Sequence, residues 1–144
     1  MSNSSINRST ESFFGEVIST YTRAQAIEDG VLIDTGSMAQ EAGFKWPVAV
    51  TSAAWADCVA WTEDDNRQQV YQDESGRLWD VLFMASHAIR KGSGPGSGDR
   101  LLFKLYRVRR DGYSKEAILA TLKLIVGPGD QGEPVITIML SDED

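Results

Sequence analysis

Cysteine is almost absent from this chain, and its scarcity excludes two ways of stabilising a fold. The 144 residues include one cysteine, Cys58, so no disulfide can form within the chain and no site built from several thiolates is available. A chain of this length can bury one hydrophobic core without either. The composition therefore predicts a domain that folds by packing alone, and the cytoplasm is its expected location.

Long apolar runs are missing as well. No stretch approaches the roughly 20 apolar residues that cross a bilayer, so no membrane contact is expected. Residues 1–11 are polar and rich in Ser and Asn, unlike the basic and apolar parts of a secretory signal. We expect residues 1–18 to form a flexible tail and residues 19–144 to form a single α+β domain.

Basic residues are outnumbered by acidic ones. The chain has 21 Asp and Glu against 14 Lys and Arg, which gives a net charge of −7. This charge repels nucleic-acid phosphates over the molecule as a whole. The imbalance favours a protein partner with a basic surface, encoded by a host or by the same genetic element, and makes nucleic acid an unfavoured partner.

The first half of the chain predicts short helices and short extended segments. Thr22 can cap a first helix and Gly30 can end it, because glycine adopts the left-handed conformation found at helix ends. The elements predicted from residue types and period are, in order, a helix at 23–29, a strand at 31–34, a helical turn at 38–42, an extended segment at 44–48, a helix at 53–61 and a surface loop, with or without one helical turn, at 63–75.

The strongest helical period lies in residues 76–91. Four apolar residues recur there at spacings of 4, 3 and 4, namely Leu78, Leu82, Ala85 and Ile89, and Trp79, Val81 and Phe83 widen the apolar face. We therefore expect a well-buried helix. Residues 92–98, rich in Gly and Ser, have the composition of a flexible linker.

Beyond the linker the period changes to that of β-strands. Three runs rich in Leu, Ile and Val, at 101–109, 117–126 and 134–140, are separated by turn-forming residues at 111–112 and 127–132. They predict three antiparallel strands. The expected fold is α+β, with N-terminal helices packed on a C-terminal three-stranded antiparallel β-meander.

Two patterns that could carry chemistry fail on context. Gly127–Gly132 matches the spacing of a dinucleotide-binding fingerprint, but a β pattern follows it where the fingerprint requires a helix, so we interpret it as a hairpin turn. Cys58 and His87 would have to form any Cys–His catalytic pair, yet Cys58 falls on an apolar helix face. We expect no catalytic residue, no cofactor and no metal site, although the acidic pairs leave a Mg²⁺ or Ca²⁺ site open as an alternative.

Basic residues gather on and after the first long strand: Lys104, Arg107, Arg109 and Arg110, beside Tyr106. Such a strand could contact nucleic acid. In a chain this acidic, we expect these side chains to pair with the acidic segment 63–74 or to extend along the open sheet face instead.

The acidic segment and its aromatic neighbours are the candidate partner-binding residues. Among the four tryptophans, Trp46 and Trp61 are the two not expected in the core. The predicted surface consists of Trp61, Glu63, Asp64, Asp65, Tyr71, Asp73 and Glu74.

Four stretches carry a resemblance to a known family: 21–34, 42–50, 76–82 and 127–140. They resemble small uncharacterised proteins carried on bacterial plasmids and integrative mobile elements. The resemblance spans most of residues 19–144 and implies no activity and no functional residues. It implies a setting in which small acidic accessory proteins disarm host defences.

The leading hypothesis is a non-enzymatic protein-binding accessory protein of a mobile genetic element, with an anti-defence (anti-CRISPR or anti-restriction) inhibitor as one form of that role. The alternatives are a small enzyme or ligand-binding domain with its pocket between sheet and helices, and a nucleic-acid binder.

Overall fold

Ten regular elements make up the part of the chain that the computed structural model describes, residues 21–91 and 99–143. The tail expected at 1–18 and the linker expected at 92–98 lie outside the described residues. The helices are α1 (Arg23–Glu28), α2 (Ser37–Glu41), α3 (Ser52–Cys58), α4 (Glu63–Gln68) and α5 (Glu74–Arg90), and the strands are β1 (Leu32–Asp34), β2 (Val48–Thr51), β3 (Arg100–Val108), β4 (Ala117–Pro128) and β5 (Pro134–Leu140).

The C-terminal strands form the predicted antiparallel meander, and two earlier strands extend it. The sheet order is β1-β2-β5-β4-β3. Within the meander Leu122 pairs with Phe103 on one side and Leu140 on the other. β2 lies parallel to β5, and β1 lies antiparallel to β2. The expected α+β class is confirmed, and the sheet is mixed and five-stranded.

The core lies between one face of this sheet and helices α3 and α5. The side chains buried there include Val81, Leu82, Leu122 and Ile138, all with essentially no exposure. Burying a side chain of this size contributes about 1.5–3 kcal/mol relative to leaving it exposed. None of the helices in the described ranges is long and apolar enough to cross a membrane.

Helix α5 buries most of the apolar face that its sequence predicts, Val81 included, but not all of it. Leu78, Leu82 and Ala85 are buried as expected, but Ile89, near the C-terminal end, is exposed. Trp79 and Phe83, expected to widen the buried face, are 36% and 44% exposed. The buried face is completed instead by Arg77 and Ser86, which satisfy their polar groups by hydrogen bonding.

Local capping decides where the helices begin. Thr22 caps α1, and a capping box joins it to Gln25. Asp73 caps α5 by accepting a hydrogen bond from the Gly76 amide at 2.7 Å, so this helix begins two residues before the predicted start. The predicted loop at 63–75 contains helix α4, whose capping box joins Thr62 to Asp65.

Candidate partner-binding surface

The seven residues predicted to contact a partner separate into a buried pair and an exposed group. Trp61 and Asp65 are only 5% and 7% exposed, so neither can act as the exposed anchor or free carboxylate that the sequence suggested. The other five lie on the surface: Glu63, Asp64, Tyr71, Asp73 and Glu74. Tyr71 is 79% exposed. Their role in partner binding stays a prediction.

Trp61 can be buried because its indole N–H and the guanidinium group beside its ring both have partners inside the fold. Its indole Nε1 donates a hydrogen bond to Oδ1 of Asn66 at 2.8 Å. The guanidinium carbon of Arg77 lies 4.5 Å from the centre of its ring, which is a cation–π contact. Sequence patterning could not reveal this arrangement, since Arg77 lies on α5 and Trp61 in the segment between α3 and α4.

Arg77 is the central polar residue of this region and is 4% exposed. Its Nε donates to the Val59 carbonyl and its Nη1 to the Val108 carbonyl, each at 3.0 Å. Nη1 also donates to Oε1 of Gln72 at 2.7 Å. Burial lowers the pKa of the guanidinium from its ordinary value. Arg77 therefore joins the end of α3, the segment before α5 and the end of β3.

Asp65 is held by an ion pair within the same region. Its Oδ2 accepts from Nε of Arg110 at 2.7 Å and from the backbone and hydroxyl of Thr62 at 2.8 and 2.9 Å. Burial opposes ionisation, but the bonds from Arg110 and Thr62 outweigh it and hold the pKa of this carboxyl below its ordinary value. Asp65 thus fixes α4 to the β3–β4 connection.

Gln69 makes a second connection to the same loop, which no pattern in the sequence indicated. Its Nε2 donates to the carbonyls of Arg109 and Ser114 at 2.7 and 2.6 Å, and its Oε1 accepts from the Gly112 amide at 3.1 Å. The side chain is buried. The predicted acidic surface loop is therefore anchored to the fold through Asp65 and Gln69.

The outer face of α5 carries an exposed row of aromatic rings, here named the α5 ridge: Trp79, Phe83 and His87. The four-residue spacing places the three side chains above one another on the helix. The ring centres of Trp79 and Phe83 are 6.2 Å apart, and those of Phe83 and His87 are 6.5 Å apart with nearly parallel planes. Outer helix faces are normally polar, so this row is an unusual feature of the surface.

A shallow depression of about 370 Å³ adjoins the ridge. Phe83 and Asp80 line it from α5, while Lys104, Tyr106 and Leu119 line it from the sheet. Partial burial raises the pKa of the Asp80 carboxyl above its ordinary value. Tyr106 and Leu119 are exposed, so the apolar surface continues from the ridge across the edge of the sheet.

Carboxylates are frequent in the segment that leads into α5 and in the first turns of that helix. The exposed charged side chains between residues 62 and 83 are five carboxylates and one guanidinium: Glu63, Asp64, Asp73, Glu74, Asp80 and Arg67. Arg67 lies 2.9 Å from Asp64. The exposed side chains of α4, of the segment before α5 and of the first turns of α5 therefore carry a net negative charge.

A family profile described as "Family of unknown function (DUF6573)" matches residues 10–144. The chain belongs to DUF6573. No curated protein and no solved structure matches it significantly.

The basic strand of this DUF6573 domain is partly neutralised. Nε of Arg107 lies 2.8 Å from Oδ1 of Asp57, and Arg110 pairs with Asp65. The expected pairing with segment 63–74 therefore holds for Arg110, while Arg107 pairs with a residue of α3. Lys104 and Arg109 are exposed. Two of the four cations suggested for nucleic acid are thus engaged within the domain.

The residues considered for a catalytic pair, a dinucleotide site or a metal site are not brought together in the structure. Cys58 is in the core, where burial raises the pKa of its thiol to about 11. His87 is exposed on the outer face of α5, so the two side chains share no cleft. Gly127–Gly132 forms the β4–β5 hairpin, in which Pro128 pairs with Pro134. Within residues 21–91 and 99–143, no three His, Cys, Asp or Glu side chains are grouped as metal ligands.

Proposed function

We propose that this chain is a non-enzymatic protein-binding protein and that the α5 ridge, with the carboxylates around it, is its contact surface. The observation that carries the proposal is the stacked and exposed pair of Trp79 and Phe83 on the outer face of the longest helix. Aromatic residues, tryptophan above all, supply much of the binding energy in protein interfaces. Trp79 takes the anchor role that the sequence suggested for Trp61.

Charge supports one kind of partner, a protein with a basic surface. Between residues 62 and 83 five carboxylates and one cation are exposed, and one further exposed cation, Lys104, lines the depression beside Phe83. Complementary charge accelerates association and sets orientation, while buried aromatic anchors slow dissociation. Tyr71, the most exposed aromatic residue of this region, provides a second contact beside the carboxylates.

The biological role we propose is that of a cytoplasmic accessory protein of a mobile genetic element. It rests on the resemblance to proteins of plasmids and integrative elements, since DUF6573 itself has no assigned function. Nucleases of host defence carry basic surfaces that contact DNA or RNA. An acidic protein that covers such a surface blocks it, which is the anti-defence form of the proposal, whether anti-CRISPR or anti-restriction.

The test begins with capture of a partner from host lysate at low and high salt and continues with that purified partner. We expect Trp79→Ala to weaken its binding about 30-fold, because hot-spot truncations typically cost about 2 kcal/mol. The matched control is Trp46→Ala, which removes an exposed tryptophan outside the ridge and is expected to change the affinity less than twofold. Glu63→Gln with Glu74→Gln is expected to slow association and to reduce its salt dependence.

Three outcomes would overturn the proposal. The first is equal affinity for Trp79→Ala and the unchanged chain, with both shown to be folded by circular dichroism. The second is a homodimer whose interface is the ridge. The third is recovery of no partner whose binding depends on salt.

A further inference from the structure

A groove of about 470 Å³ opens at the other end of α5, away from its acidic start. It lies between the last turns of α5, the segment that precedes β2, and the core-facing side of the meander. Seven apolar side chains line it, among them Phe44, Trp46, Ile89 and Leu101. Its volume falls in the range of small-molecule sites, about 300–1,000 Å³.

The rim of this groove is basic, in contrast to the chain as a whole. Lys45, Arg90 and Arg100 line it, against one carboxylate, Asp99. Among the residues that the structure describes, none of these three cations forms a salt bridge. An apolar floor with a cationic rim is complementary to a molecule with an apolar body and an anionic head.

One cation of the rim is held in position. Nη1 of Arg90 donates to the buried hydroxyl of Ser86 at 2.6 Å. The N–H groups on the other two guanidinium nitrogens take no part in this bond. Gly43 lies directly against this pair, because a Cβ at that residue would be 3.1 Å from Oγ of Ser86 and 3.2 Å from Nη1 of Arg90. Its φ of 107° also disfavours any other residue. Glycine thus allows the loop to close one side of the groove over Arg90.

We propose that the groove binds a small amphipathic carboxylate, with an unbranched alkyl chain along the apolar floor and the carboxylate at Arg90 and Arg100. Guanidinium groups pair with carboxylates through two parallel hydrogen bonds, which suits them to this role. The site shares no residue with the α5 ridge, so it stands or falls independently of the proposed protein-binding function.

The experiment is calorimetric titration of the full chain with decanoate below its micellar concentration. We expect saturable one-to-one binding. The affinity should rise on the order of tenfold from octanoate to decanoate, because each methylene removed from water adds to the favourable free energy of binding. Decanol and decyltrimethylammonium have the same chain without the anionic head, and both should bind at least about tenfold more weakly. Chemical shifts of the Gly43 amide should follow the titration.

Variants assign the binding to this groove. Arg100→Gln and Arg90→Gln are each expected to weaken decanoate binding at least about fivefold. The matched control is Lys104→Gln, which removes a cation from the same strand outside the groove and should leave binding unchanged. Ile89→Asp places a carboxylate at an exposed position of the groove and should abolish binding, whereas Phe83→Asp on the ridge should not.

Several results would overturn the proposal: no saturable binding of decanoate, equal binding of decanol and decanoate, or binding that Arg90→Gln, Arg100→Gln and Ile89→Asp leave unchanged while the variants remain folded. Loss of ridge binding in Trp79→Ala has no bearing on these readouts, so the two proposals fail separately.

Discussion

Replacing Arg77 by alanine is expected to destabilise the domain by about 4 kcal/mol. The substitution leaves the carbonyls of Val59 and Val108 buried without their donor, and each unsatisfied carbonyl costs about 1–3 kcal/mol. It also removes the cation–π contact with Trp61, worth about 1–2 kcal/mol when desolvated. Part of this loss is offset, because folding of the alanine variant no longer removes a charged side chain from water.

Urea unfolding followed by tryptophan fluorescence and by circular dichroism measures this loss. With a slope of about 2 kcal/mol per molar urea, the midpoint should fall by about 2 M. Arg67→Ala is the matched control, since Arg67 is an exposed arginine whose pair with Asp64 contributes at most about 1 kcal/mol. Arg77→Lys keeps the charge but cannot reach both carbonyls at once, so it should fall between the two.

The reasoning would be refuted if Arg77→Ala and Arg67→Ala unfolded at midpoints within about 0.5 M of each other. That result would mean that water or a rearranged side chain satisfies the two carbonyls at little cost. A fall in the midpoint with a changed slope would instead show that the variant no longer unfolds in one step.

Three further predictions concern buried polar groups. Burial raises the pKa of the Cys58 thiol from 9.0 to about 11, so the free energy of unfolding should fall by about 3 kcal/mol as the pH rises from 9 to 11. In Cys58→Ala this part of the pH dependence should be absent. The lowered pKa of Asp65 contributes stability above pH 3.8 that is lost as the pH falls further, and Asp65→Asn should lack this acid dependence along with its pair to Arg110. Gln69→Ala should cost about 2 kcal/mol and accelerate hydrogen exchange at the Gly112 amide.

Each of these has a direct check. Urea midpoints across pH compare the unchanged chain with Cys58→Ala, and parallel curves between pH 9 and 11 would contradict the first prediction. The same measurement in acid serves Asp65→Asn, where an unaltered pH profile counts against the ion pair. Native-state exchange followed by nuclear magnetic resonance tests Gln69→Ala, and an unchanged rate at Gly112 would show that the loop is held by other contacts.

Local periodicity was sufficient to predict the meander and the longest helix. Strand alternation and turn residues are properties of neighbouring residues, so β3, β4 and β5 could be placed within a few positions. The parallel pairing of β2 with β5 could not, because no local pattern states which distant strand completes a sheet. The three-stranded meander was therefore predicted, whereas the pairing that joins the two short N-terminal strands to it was not.

The candidate surface was harder to predict than the fold. Helix α4 lacks an apolar face, and its one sequence mark is the capping pattern of Thr62 and Asp65, which resembles a capping box with aspartate in place of glutamate. Trp61, expected on the surface, is buried, and Trp79, expected in the core, is exposed. The period of α5 places both Trp79 and Leu78 near its apolar side. In the structure the helix is rotated so that Arg77 and Leu78 contact the core and Trp79 does not.

The position of β5 has a consequence for synthesis of the chain. This strand, made after the other nine elements, lies between β2 and β4 and pairs with both. Until residues 134–140 have left the ribosome, β1 and β2 remain separated from β3 and β4, and two apolar strand edges stay open. A nascent chain therefore lacks the strand that joins the two parts of its sheet, and open strand edges of this kind are where chaperones and proteases act.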